Sequence, residues 1–250
     1  MTECEIDPST LPKCDDLFRA IEAQFEASQI PSDKWYLTAL SALTTTPDPH
    51  LADQLYVYLT STPAYSTVNA RQTLIQRMRE TLFKNIALLG LPKPAEALIS
   101  ISRVELKEDG ITQTFTREGW QRDDGNRTRG IQWLNKIYAH NAEDLFDLFQ
   151  RHRDWQFWIG EIAYGLHLSD RQVLDDIDTE LVVLPAVMGQ NLPRESYWHI
   201  RGLRRLGISK EDIQMICDCV HKVAQFCGVK LDRVPSVEKV DADISNDSDP

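Results

Sequence analysis

A chain of 250 residues with 42% hydrophobic side chains is long enough to bury a core, and its formal charge of −11 excludes nucleic acid as a main partner, because phosphate affinity needs clustered Lys and Arg. No apolar run reaches the ~20 residues needed to cross a bilayer and mean hydropathy is −0.36, so no membrane partner is expected. Five cysteines, an odd number, fit reduced thiols; with no presequence pattern in MTECEIDPSTLPKCDD and no receptor-read address in the closing Asn-Asp-Ser-Asp-Pro, the expected compartment is cytoplasmic.

Residues 1–13 read as a flexible arm. From Cys14 to Ala27, Leu17, Phe18, Ile21 and Phe25 recur at helical spacing, which predicts a first amphipathic helix. Pro31-Ser32-Asp33 starts a second helix over Trp35 to Leu43, stopped by Thr46-Pro47-Asp48-Pro49, and His50 to Thr60 forms a third. Asn69 to Leu89 predicts about six helical turns with Leu74, Ile75, Met78, Leu82 and Ile86 on the apolar side and Gly90 at the C-cap. Leu91-Pro92-Lys93-Pro94 turns the chain into a helix over Ala95 to Val104.

Residues 105–130 are polar and hold Gly110, Gly119 and Gly125, which reads as a linker or loop. Helices are then expected over Ile131 to His140 and Ala142 to Gln150. In Trp155 to Leu168, Trp155, Trp158, Ile162 and Gly165 share a face at 3.6-residue spacing, so most are expected in the core. Ser169 or Asp170 is expected to cap the next helix. Ser209 to Asp212 resembles a capping box before a helix over Ile213 to Cys227, and 230–250 reads as an acidic disordered tail.

IQRMRETLFKNIALLG (75–90) and IQMICDCVHKVAQFCG (213–228) share Ile, Gln, Lys and Gly at the same positions. This suggests two related all-helical modules: a degenerate one over 14–104 and a better preserved one over 131–229. The chemistry is expected in the second. There Ile177, Glu180, Leu184 and Val187 share a helix face, which sets a carboxylate in an apolar stripe, where it needs a partner. His199 shares a face with Leu203 and Leu206, so its imidazole should point inward, while Arg201, Arg204 and Arg205 look outward or line the rim.

Residues 179–229 resemble the carboxymuconolactone decarboxylase-like proteins of the alkyl hydroperoxidase D-like superfamily. The resemblance is carried by Glu180, by His199 with Gly202, by Gly207, by Ser209 with Asp212, by Gly228, and upstream by Ala163-Tyr164-Gly165. It implies an all-α fold, a helical bundle of two alkyl hydroperoxidase D-like modules. It further implies Glu180 and His199 as catalytic residues, and Arg201, Arg204 and Tyr164 as substrate-binding residues. The peroxidase branch places Cys-x-x-Cys just before its active-site histidine, whereas this chain has Leu192 and Glu195 at those positions, so thiol peroxidase chemistry is not expected.

The lactone-decarboxylase branch works without cysteines. It implies a cofactor-free lyase acting on a small carboxylated or lactone substrate, with His199 moving a proton, Glu180 orienting it and an arginine holding a carboxylate. The competing expectation is a non-catalytic binding or assembly module that kept the fold. A cavity lined by Glu180 and His199 favours the enzyme, and a pair sealed in the core favours the module. Cys217 and His221 share a helix face, but two ligands make no metal site, and no metal or cofactor is expected. Two modules in one chain would bury an interface internally, so a monomer or homodimer is expected.

Overall fold

The computed structural model describes residues 12–106, 109 and 115–246. Among these the chain is helical, with no strand. Its helices are α1 (Asp15–Glu26), α2 (Trp35–Thr45), α3 (Ala52–Thr60), α4 (Val68–Leu89), α5 (Pro92–Val104), α6 (Asp124–Tyr138), α7 (Ala142–Leu148), α8 (Arg153–Phe157), a π-helix (Trp158–Leu168), α9 (Asp176–Gly189), α10 (Pro193–Arg205), α11 (Lys210–Phe226) and α12 (Val237–Asn246).

The molecule is built on α2 crossed by α9. Every residue of α2 is buried, and so is α9 from Asp178 to Gly189. Two helices this apolar have nowhere to go but the centre. Pro185 lies inside α9 and has no N–H, so the carbonyl of Leu181 one turn earlier loses its helical donor. Thr38 Oγ1 of α2 donates to that carbonyl at 3.3 Å, and Ser41 Oγ donates to Val182 O at 2.6 Å. The hydroxyls in an otherwise apolar α2 thus satisfy buried carbonyls of its partner. At the far end a Cβ on Gly189 would lie 2.1 Å from Thr45 Oγ1, so the two helices meet at a distance only glycine allows.

Helices α4 and α11 each pack against both members of this pair. One hydrophobic cluster runs from Cys14, Phe18 and Phe25 through Leu74 and Met78 to Leu181, Ile216, Val220 and Val240, so both halves share it. A smaller cluster joins α6, α7, the π-helix and Val183 of α9. There Gly130 meets the π-helix so closely that a Cβ would sit 2.4 Å from Gly160 O and 2.7 Å from Gly165 Cα.

Several expectations need correction. The linker over 105–130 ends in structure: α6 begins at Asp124, where the Asp123 carboxylate accepts from Asn126 N and the Asn126 side chain accepts from Asp123 N. The cap, not hydrophobic periodicity, starts this helix. The tail over 230–250 is not disordered through 246, because α12 buries Val237 and Val240 at positions one turn apart. Trp155 and Trp158 are 59% and 49% exposed instead of core. The segment winds as a π-helix from Trp158, which breaks the 3.6-residue face on which that expectation rested. The cap of α9 is Asp175, not Ser169 or Asp170, and α5 starts at Pro92, whose fixed φ suits a first helical position. The expected arm falls almost wholly outside the described residues, although Pro12 O already accepts from Gln54 Nε2 at 3.0 Å.

Candidate functional site

Glu180 is held in place by the start of α9. Asp175 and Asp178 form a capping box, and Lys34 Nζ reaches Asp175 Oδ2 at 2.9 Å and Asp178 Oδ1 at 2.8 Å, with Arg77 Nη2 3.1 Å from Asp178 Oδ2. The first turn is therefore pinned by cations from the N-terminal half, and Glu180 follows two residues later with no exposed surface. Helix α10 starts at Pro193. A Cβ on Gly202 would lie 2.8 Å from Ile137 Cγ2, and this close approach seats α10 on α6. His199, one turn before Gly202, then faces both α9 and the end of α6.

The structure brings the two together: His199 Nδ1 lies 2.9 Å from Glu180 Oε2. Burial works to lower the histidine pKa, but the charge and hydrogen bond of Glu180, with a further contribution from Glu195, outweigh it and leave it raised. The imidazole is thereby favoured in its protonated form, with Nδ1 donating to the carboxylate. One acceptor position stays open: Glu180 Oε1 is buried without a hydrogen-bond partner.

Tyr164 connects to the pair through an intermediary the sequence did not single out. Its hydroxyl donates to Tyr138 Oη at 3.4 Å, and the Tyr138 ring meets the His199 ring edge-on, 6.2 Å between centroids. Burial, first, and the nearby carboxylates raise both phenol pKa values, so both stay neutral donors. No local signal marks Tyr138; its role comes only from where α6 ends.

The arginines part from the expectation. Arg201 is 2% exposed, not outward-facing, because its guanidinium folds back over Tyr197 and Trp198 and donates to Tyr197 Oη at 2.9 Å. Arg204 is committed elsewhere, to Asp241 Oδ1 of α12 and Ile208 O, at 2.9 and 2.8 Å. Arg205 donates to Ile137 O and Asn141 Oδ1. Neither Glu180 nor His199 lines the cavity of about 580 Å³ between α4, α5 and residues 115–120, or the one of about 500 Å³ beside α8. Cys217 and Cys219 are buried, and burial pushes each thiol up to about 12, which disfavours the nucleophilic thiolate.

A second buried charge cluster escaped sequence reading. Lys84 has no exposed surface and donates to the carbonyls of His167 and Leu168 at the end of the π-helix, at 3.1 and 3.3 Å, and of Asp170 just beyond it, at 2.9 Å. Burial pushes its pKa down to about 7 against the pull of Glu80. Glu80 in turn takes Arg117, whose guanidinium lies 4.0 Å over the Phe83 ring. This lysine serves as a helix cap supplied from a different helix.

No family model matches the chain, and no solved structure matches it. Among characterised sequences, it is similar to Peroxisomal protein 2 of Schizosaccharomyces pombe (strain 972 / ATCC 24843), 22% identical over 200 residues that cover 72% of this chain and 91% of the relative.

Proposed function

We propose that this chain is a carboxymuconolactone decarboxylase-like protein of the alkyl hydroperoxidase D-like superfamily, and that Glu180 and His199 form an acid–base dyad for a small carboxylated or lactone substrate. The observation that carries this reading is the buried 2.9 Å pair whose remaining carboxylate oxygen, Glu180 Oε1, is left without a hydrogen bond, with the Tyr138 ring edge-on to His199. In the reaction, the bond between the substrate carbon and its carboxylate breaks and carbon dioxide leaves. Imidazolium His199 gives its proton to that carbon, and Glu180 stabilises the charged ring beforehand.

The two-module reading is part of the same proposal and is supported by a recurring packing pattern. Helix α2 lies against α11 as α9 lies against α4. An order of helices that repeats its contacts is what a duplicated unit produces. The two units then interlock through α2 and α9 instead of sitting side by side.

A second reading has its own observation. His199 is 3% exposed and Glu180 is sealed, which supports a binding or assembly module in which the pair ties α9 to α10. A thermal-shift screen of carboxylated metabolites on the wild type, Glu180→Gln and His199→Gln separates the two. A compound that stabilises only the wild type, and is consumed with release of carbon dioxide, supports the dyad. A screen with no stabilising compound, together with a large loss of stability in both variants, supports the module. The relative's name gives a peroxisomal location for that protein; we extend it to this chain as an alternative to the cytoplasm, to be tested by imaging a tagged chain.

A further inference from the structure

Beside α8 lies a cavity of about 500 Å³ whose walls carry three guanidiniums, Arg122, Arg127 and Arg153, and a single carboxylate, Glu161. Glu161 is 2% exposed and both its oxygens are engaged: Oε2 takes Arg122 Nε at 2.9 Å and Oε1 takes Arg127 Nη1. Those two bonds, set against burial, hold its carboxyl below the usual range, so it stays charged. One negative charge thus faces three positive ones. Arg153 makes no ion pair or hydrogen bond among the described residues, and no other carboxylate lines the cavity. In a chain of formal charge −11 this is a local excess that attracts anions.

The remaining wall combines the apolar Ile131, Phe146 and Phe157 with Gln156 and Gly160, and the Arg122 guanidinium stands 5.3 Å over the Phe157 ring. A planar cation held over an aromatic face next to two further guanidiniums matches the tetrahedral oxygens of a phosphate, which arginine engages by paired N–H bonds. Cavities of this size with convergent polar groups hold small ligands.

We propose that Arg122, Arg127 and Arg153 form a binding site for a phosphate monoester carrying an apolar group, with the phosphate on the arginines and the apolar part against Phe146 and Phe157. The site is separate from the Glu180–His199 pair and does not depend on its chemistry. The same ligand chemistry is offered by a free organic phosphate and by the headgroup of an acidic phospholipid, and the test tells them apart.

Titration calorimetry of the full chain would use inorganic phosphate and phenyl phosphate. Co-sedimentation would use phosphatidylcholine vesicles with and without phosphatidic acid. Phenyl phosphate should bind more tightly than inorganic phosphate, and Arg153→Ala should weaken it on the order of tenfold, the loss of one charge-assisted contact. Arg153 holds nothing else in place, so the variant should melt as the wild type does; Phe157→Ala should remove the preference for the phenyl group. Vesicle binding that requires phosphatidic acid and falls in Arg153→Glu identifies the lipid source, and its absence alongside phenyl phosphate binding identifies the soluble one. No binding of any probe, or binding that Arg153→Ala and Arg153→Glu leave unchanged, overturns the proposal.

Discussion

Glu180 and His199 are each costly to bury and tolerable only together. His199→Ala leaves a carboxylate with no exposed surface and no cation beside it, which should cost about 3–5 kcal/mol in urea denaturation. The double variant Glu180→Gln, His199→Gln should lose less than the two single changes added, since each single change strands the other partner. The pair also sets a pH dependence. A raised histidine pKa means that its stabilisation is fully present below the unfolded value near 6.5 and is lost as pH rises through the folded value. The stability difference between wild type and His199→Gln should therefore shrink above that point. Lys84 works in the opposite direction. With a folded pKa of about 7 against 10.5 unfolded, the unfolded chain binds more protons between those values, so this lysine makes stability climb with pH across that window. In Lys84→Met the climb should flatten, although the loss of three carbonyl contacts should lower stability throughout.

The elements owe their placement to a few close approaches. Gly165 is one: a Cβ there would lie 2.4 Å from Asn126 Nδ2 and 2.9 Å from Gly160 O, so Gly165→Ala must push α6 off the π-helix. The Asn126 bond to Glu161 O at 2.7 Å would go with it, and a loss of at least about 1–3 kcal/mol is expected from a melt. Helix α12 is the other element whose contribution can be weighed. Ending the chain after Val234 removes the burial of Val237 and Val240 and the Asp241 partner of Arg204. Each valine contributes about 1.5–3 kcal/mol at most, so the shortened chain should be less stable by a few kcal/mol in the same assay. An unchanged midpoint would show that α12 only rests on the surface.

At the scale of the whole molecule, α2 and α9 are each other's main partner, and the principal cluster draws on residues from Cys14 to Val240. Neither half can bury its central helix alone. Thermal unfolding should follow one transition, with calorimetric and van 't Hoff enthalpies equal, and residues 1–104 expressed alone should stay unfolded by circular dichroism. Two separate transitions would show the halves to be independent. Much of this fold was legible in the sequence: the 3.6-residue spacing of Leu17, Phe18, Ile21 and Phe25, the glycine after Leu89, and Ser209 with Asp212 act within one or two turns, and local patterns record them. The inward aim of Glu180 and of His199 was legible for the same reason, since each sits in an apolar stripe of its own helix. What the sequence did not record are relations between segments far apart in the chain. The Tyr138 ring against His199, the carbonyls that Lys84 caps, the Arg201 side chain folded over Tyr197, and the three arginines around Glu161 depend on how helices cross. The crossing is set by long-range fits such as Gly202 on Ile137 and Gly189 on Thr45, which leave no periodicity to read, and so only the tertiary structure decided them.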